Sequence, residues 1–285
     1  MGRRAWVNVW LVATLAVLAW VVWQEPGHAP KPTVNLMALA PASITRVTLT
    51  NTNGTLSLAK ENGFWQIEAP FKIAANAVRV EDLLQVAAAV SHSQFAAAGK
   101  DLGPFGLAKP TITLRLNGVE LKFGTTTAVD QQRYVQIGDT IHLIDDLYGF
   151  DLGADAAAYV STDLVPRGAM LATIALPKLS LSRAADGKWS ATPAPPGVTE
   201  TQIKGMADAW QSAQALRVAA FDKRPVQGTV GLGLAGGQTP LRYEIIARQP
   251  ELILARTDLG LQFYMPQDDA ARLLELKPPA DKDKK

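Results

Sequence analysis

The stretch Leu56-Ser57-Leu58-Ala59-Lys60-Glu61-Asn62-Gly63-Phe64-Trp65 returns, with changes, as Leu179-Ser180-Leu181-Ser182-Arg183-Ala184-Ala185-Asp186-Gly187-Lys188-Trp189. In each copy a Leu-Ser-Leu alternation indicates a half-buried strand, and the Asn-Gly or Asp-Gly pair indicates a tight hairpin turn. A tryptophan then opens the returning strand. We expect Trp65 and Trp189 to seal small β cores, although aromatic rings of this kind also serve as ligand platforms.

Both copies continue in the same order. Helical spacing of apolar residues predicts one amphipathic helix from about Ala77 to Val90 and another from about Glu200 to Leu216, with Thr199 as N-cap of the second. Strand patterns follow each helix, at 111–116, 121–123, 134–137 and 141–144 in the first copy and at 229–234, 241–243, 252–255 and 261–265 in the second. The predicted fold class is α+β, with two tandem β-rich modules, each a hairpin, one amphipathic helix and an antiparallel meander.

The repeat divides the body into a first module at 43–160, a join at 161–172 and a second module at 173–276. Residues 26–42 are rich in proline, which favours an extended stalk. Residues 277–285 are dominated by Pro, Lys and Asp, and we expect a disordered tail there. Residues 1–25 are interpreted as a cytoplasmic tip and a transmembrane anchor.

The N-terminus carries the strongest signal for location. Arg3 and Arg4 precede an apolar run at 5–23, which has the length of a bilayer-spanning helix. Tryptophans lie near both ends of the run, where indole rings favour the water–lipid boundary; they are Trp6, Trp10, Trp20 and Trp23. The charge asymmetry predicts a single-pass membrane protein with a cytoplasmic N-terminus and an exported body. A cleaved signal peptide has a similar start, but its candidate cleavage site at 27–29 is followed by Pro30.

Composition restricts the chemistry. The net charge is only +2, which gives no reason to expect a nucleic-acid partner. The absence of cysteine removes disulfides, thiolate nucleophiles and thiolate metal sites. No metal or other cofactor is predicted.

Several short motifs have structural explanations. The glycine string at 231–236 matches a dinucleotide-binding pattern, but a strand pattern follows it where that motif requires a helix. His28, His92 and His142 lack ligand spacing, so we expect solvated side chains rather than a zinc site. Ser91-His92-Ser93 is interpreted as a helix end rather than a catalytic arrangement.

Two acidic pairs and one protease motif complete this set. Asp145-Asp146 and Asp268-Asp269 are expected to cap short helices, and the alternative is a carboxylate site for calcium or acid–base chemistry. The segment Leu164–Gly168 has the form of a thrombin site, so thrombin would report whether the join is exposed.

A family resemblance rests on several segments of the first module. The relevant segments are Ile44-Thr45-Arg46-Val47, Gly63-Phe64-Trp65, Pro104-Phe105-Gly106-Leu107-Ala108-Lys109-Pro110 and Tyr134-Val135. Together they resemble the family of domains of unknown function numbered 4340, whose most recognisable piece here is the loop with Phe105, Gly106, Leu107 and Pro110. The second module departs from this pattern, because no Pro-Phe-Gly-Leu step precedes Gly228.

The resemblance implies a bacterial envelope protein with one N-terminal helix, in a family where some members are encoded beside ABC-type transporters. It thereby implies that the predicted anchor lies in the bacterial inner membrane, with the N-terminus in the cytoplasm and the body in the periplasm. It implies no catalytic residues. The leading prediction is therefore a membrane-anchored, non-enzymatic binding or scaffold subunit whose partners are membrane lipid and another envelope protein, such as a transporter. A glycan- or lipid-binding periplasmic module and a hydrolase with scattered carboxylates are the alternatives.

Overall fold

The computed structural model describes residues 34–276 except 129 and 238, together with residues 2, 6, 10, 12–17 and 20. Residues 12–17 are helical, and Trp6, Trp10 and Trp20 are exposed. Within these described residues, no helix has both the length and the apolarity to cross a bilayer. Arg3, Arg4 and Trp23, most of the predicted anchor and the tail at 277–285 lie outside the described residues.

The first sheet has nine strands, all antiparallel to their neighbours. The strands of the first half of the chain are β1 (Val34–Asn35), β2 (Arg46–Asn51), β3 (Gly54–Glu61), β4 (Phe64–Ala69), β5 (Ile73–Ala74), β6 (Val90–Ser91), β7 (Ser93–Ala96), β8 (Ile112–Leu116), β9 (Val119–Thr126), β10 (Gln132–Ile137) and β11 (Thr140–Asp145). The order across the sheet is β5-β4-β3-β2-β8-β9-β10-β11-β7, and β1 and β6 form a separate pair.

The second sheet repeats this arrangement with eight strands. They are β12 (Leu171–Ala175), β13 (Ser180–Arg183), β14 (Trp189–Thr192), β15 (Arg217–Ala220), β16 (Gly228–Leu234), β17 (Leu241–Ala247), β18 (Ile253–Arg256) and β19 (Leu261–Tyr264). The order β14-β13-β12-β16-β17-β18-β19-β15 matches the first sheet strand for strand from β4 to β7. The predicted β-rich α+β class is confirmed.

Four α-helices accompany the sheets in the described part of the chain: α1 (Ala77–Leu84), α2 (Gly149–Leu152), α3 (Glu200–Gln211) and α4 (Asp269–Leu274). Thr199 caps α3 as predicted, in a reciprocal capping box with Gln202. Both predicted helices end early. The first passes into a 3₁₀ turn at Gln85–Ala88 and then into β6. The second stops at Gln211, and Gln214 forms an isolated bridge with Asp163.

One hydrophobic core runs through both modules, and it includes Leu36 and Met37. The predicted stalk at 26–42 is therefore wrong for its second half. β1 pairs with β6, and Leu36 N donates to Ala89 O at 2.7 Å. The two apolar side chains are buried against the first module, and this burial holds the segment in the fold.

The join is also part of the fold. Leu164 and Val165 are buried, and Leu164 N donates to Ala213 O at 3.0 Å. Leu171 and Ala172, assigned to the join from the sequence, already belong to β12. The two modules are connected through packed chain rather than through a free linker.

Candidate functional site

A cleft of about 560 Å³ opens where the two modules meet. Its walls come from the end of the β3–β4 hairpin with β5 and the start of α1, from the join, and from β17 and β18 of the second sheet. A cavity of this size accommodates a small ligand or a short peptide segment.

The hairpin wall presents two adjacent aromatic side chains. Asn62 and Gly63 have φ values of 49° and 86°, the backbone geometry that the Asn-Gly turn favours. Because successive strand residues point to opposite faces, Trp65 is 4% exposed and Phe64 is 56% exposed. Lys60 lies opposite Trp65 in register, with its Nζ 5.8 Å from the ring centroid. This wall combines a buried indole with an exposed phenyl ring.

The wall formed by the join is organised by Asp163. Its Oδ1 accepts a hydrogen bond from Gln214 Nε2 at 2.6 Å, and its Oδ2 accepts from Arg167 Nε at 3.0 Å and from Ser161 Oγ at 3.3 Å. Both carboxylate oxygens are therefore engaged in holding the join in position.

The wall of the second sheet is built on Tyr243. Its hydroxyl donates to Leu164 O at 2.7 Å, and its ring packs edge-on against Phe263 with centroids 5.7 Å apart. Burial raises the pKa of Tyr243 to about 12, so the phenol stays protonated at neutral pH.

Arg256 completes this wall beside the Tyr243 ring. Its guanidinium lies 5.8 Å from the ring centroid and forms a bidentate pair with Asp258, at 2.9 Å from Nε and 2.8 Å from Nη2. The hydrogen bond from Arg256 lowers the pKa of Asp258. This pairing holds the guanidinium of Arg256 in place at the wall of the cleft.

The charges around the cleft are mixed in sign. The lining contains four cationic residues, Lys60, Lys72, Arg167 and Arg256, and three acidic ones, Glu61, Glu81 and Asp163. A lining of this kind does not favour a polyanion. It suits a ligand that itself carries both charges and backbone amides, such as a polypeptide segment.

The loop of the family motif lies elsewhere and has a packing role. The Phe105 ring is 4.9 Å from Tyr134 and 5.6 Å from Phe95, and Phe105 O accepts from Thr125 N at 2.9 Å. Gly106 has a φ of +68°, and a Cβ there would lie 2.9 Å from Thr125 N. Leu107 is buried and Pro110 is half-buried. The loop fastens onto the first sheet, and none of its four motif residues lines the cleft.

The remaining tryptophan and the glycine string also have structural positions. Trp189 is half-buried and packs against the core outside the cleft. Gly231 and Gly233 lie inside β16, and the string ends in a 3₁₀ turn at Ala235–Gly237. A Cβ at Gly233 would collide with Thr173 Oγ1, so the side chain of Thr173 on the neighbouring strand β12 occupies the space beside this glycine.

The prediction of solvated histidines is wrong for His142. This side chain is buried, its Nδ1 is 3.0 Å from Ser91 Oγ, and burial lowers its pKa. The reason is that β7 pairs with β11 along its edge and Ser91 of β6 lies against the imidazole ring. His92 is more exposed and lies with its Nε2 3.0 Å from Asp145 Oδ1.

Neither acidic pair supplies a side-chain cap hydrogen bond, although Asp268 is the N-cap residue of α4 and Asp269 lies in its first turn. Asp146 instead forms an ion pair with Arg133 at 2.7 Å, and the hydrogen bond from Arg133 lowers the pKa of Asp146. Asp268 makes no side-chain hydrogen bond at the start of α4. Among the residues that the structure describes, no three His, Asp or Glu side chains are grouped so that they could hold a metal ion.

Sequence reasoning missed the residues that build the cleft, above all Tyr243, Arg256 and Asp163. Their strands and turns were anticipated, but nothing in a local pattern brings β17 to the β3–β4 hairpin. The available signal was a tyrosine alternating with aliphatic residues in β17, which indicates a buried ring and says nothing of its neighbours.

The family model described as "Domain of unknown function (DUF4340)" matches residues 65–225, more than half of the chain. The match begins at Trp65, contains the motif loop at 104–110 and extends into the second module. No curated protein and no solved structure matches the chain.

Proposed function

This chain belongs to the DUF4340 family, and from that membership and the geometry of the cleft we propose a non-enzymatic binding subunit of the cell envelope. Its N-terminal apolar run anchors it in the inner membrane with the body in the periplasm. The cleft between its modules holds a segment of another envelope protein, such as a component of a membrane transporter.

The mixed lining of the cleft carries this proposal. Exposed Lys60, Lys72 and Glu81 offer both charges at the rim, and Phe64 offers an exposed ring for an apolar side chain of the bound segment. The polar groups deeper in the cleft are already engaged. Asp163 is bonded through both oxygens and the Tyr243 hydroxyl donates to a backbone carbonyl, which favours binding over acid–base chemistry.

Site-specific photocrosslinking in cells tests this function. Benzoylphenylalanine in place of Phe64 should crosslink to a distinct protein, whereas the same group in place of Val226, which is similarly exposed in the loop 221–227, should not. Equal adducts at both positions, or none at position 64, would contradict the proposal.

A glycan ligand is a second candidate, favoured by the exposed Phe64 ring beside Trp65. Soluble cell-wall oligosaccharides should then change the tryptophan emission of the protein, and Phe64→Ala should abolish that change. No change with oligosaccharides, together with a protein adduct at position 64, would select the protein partner.

A further inference from the structure

Three strongly exposed apolar side chains lie on α1, on α2 and on the loop that leads into α2. Leu147 and Phe150 are 76% and 75% exposed, the highest values among large apolar side chains of the described residues, and Val78 on α1 is 63% exposed. α1 and α2 are in contact here, because Arg79 stacks on the Phe150 ring at 4.7 Å and Tyr148 Oη donates to Gln85 O at 3.4 Å. We call Val78, Leu147 and Phe150 the apolar tip.

The backbone beneath the apolar tip is held firmly. Arg79 forms an ion pair with Asp151 at 2.7 Å. Asn51 Nδ2 donates to Leu152 O at 2.9 Å and to Ala154 O at 2.8 Å. Phe150 belongs to α2 and Leu147 to the short loop before it, so these contacts hold the backbone that carries both side chains. A contiguous exposed apolar patch marks a surface that contacts protein or lipid.

The charges near the apolar tip favour contact with a partner surface that is electrically neutral. Asp146 and Asp151 are each paired with an arginine, and Asp145 lies against His92. Glu81 and Asp82 on α1 are exposed, and no ion pair within 4.0 Å is found for either among the described residues. These carboxylates would repel a strongly anionic surface.

The chain enters the body beside the strands that lead to this tip. Val34 in β1 pairs with Ser91 in β6, and His92 N donates to Leu143 O in β11, the strand that leads to Leu147. β1 is therefore connected to β11 through β6 and His92. Only residues 24–33 separate the predicted span from Val34, and ten residues reach about 35 Å at most.

We propose that the apolar tip inserts Leu147 and Phe150 into the headgroup region of the bilayer that the N-terminal run crosses. The short connection holds the body near the lipid, and the projecting side chains lose their contact with water there. This second contact would fix the orientation of the body on the membrane. The inference rests on the proposed membrane anchoring.

The full chain in nanodiscs of zwitterionic phosphatidylcholine tests the insertion. Since the protein has no cysteine, Leu147→Cys gives a single site for the environment-sensitive dye NBD, and Val226→Cys gives a matched exposed control in the second module. We expect NBD at position 147 to shift its emission to the blue and to lose intensity when spin-labelled lipid is included. The dye at position 226 should do neither, and Phe150→Glu should reduce the quenching at position 147.

The other outcomes are distinguishable. A blue shift at position 147 without lipid quenching would mean that a second copy covers the tip, and it would overturn the inference. Equal quenching at positions 147 and 226, or none at 147 in protein that stays with the nanodiscs, would also overturn it while leaving the anchor intact. A protein that separates from the nanodiscs would overturn the anchor and the inference together.

Discussion

The hydroxyl of Tyr243 fastens the join to the second sheet through its hydrogen bond to Leu164 O. Tyr243→Phe removes the donor and leaves a carbonyl of a buried residue with one partner fewer. We expect a loss of about 1–3 kcal/mol in the free energy of unfolding, measured by urea titration. Tyr148→Phe is the matched control, because its hydroxyl makes a longer and more exposed bond at 3.4 Å. Equal losses in the two variants would contradict the assigned role of Tyr243.

The Asp146–Arg133 pair makes stability depend on pH. The hydrogen bond from Arg133 lowers the pKa of Asp146 in the folded protein below the ordinary value of about 3.9. The stabilisation that this ion pair gives the folded protein is therefore present above pH ~4 and is lost as the pH falls through the folded-state pKa of Asp146. Urea midpoints measured from pH 6 down to pH 3 should fall less steeply for Asp146→Asn than for the natural protein. If the urea midpoint depended on pH equally in both proteins, other titrating groups would determine the loss of stability at low pH.

The motif loop requires glycine at position 106 for two independent reasons. Gly106 has a positive φ and lies against Thr125, whereas Gly236 has a φ of +79° with open space around it. Gly236→Ala should cost about 1 kcal/mol from backbone strain alone. Gly106→Ala should cost about 2–4 kcal/mol, because overpacking adds to that strain. Thermal unfolding of both variants checks the difference, and similar costs would mean that Thr125 moves aside freely.

The strands and helices also show which features a local sequence pattern can predict. The Asn62-Gly63 turn and the Thr199 cap were predictable because each depends on a few consecutive residues. His142 was mispredicted because its burial depends on β7, and the cleft was missed because it depends on how two sheets dock. Contacts between distant segments have no local signature in one sequence, and a functional cleft between modules consists of such contacts.

For the whole molecule, the packed join predicts resistance to thrombin. Cleavage after Arg167 requires the protease to bind Leu164 and Val165 in extended form, and both are buried in the shared core. The folded protein should stay intact at Arg167. The same five residues appended after Lys285 provide the control and should be cut in the same tube. Cleavage at both places at similar rates would mean that the join opens readily in solution.

The shared core further predicts that the two modules unfold as one cooperative unit. Separate domains are joined by exposed linkers and open independently, but here Leu164, Val165 and Leu171 of the join are buried and one hydrophobic cluster contains residues of both sheets. Destabilising the first module with Gly106→Ala should therefore speed amide hydrogen exchange in the slowest peptides of both modules by the same factor. Mass spectrometry of peptides from β8–β9 and from β16–β17 measures that factor in each. Acceleration confined to β8–β9 would mean that the second module keeps its fold when the first opens. The cleft would then lie between two independently stable bodies, and ligand binding would have to hold them together.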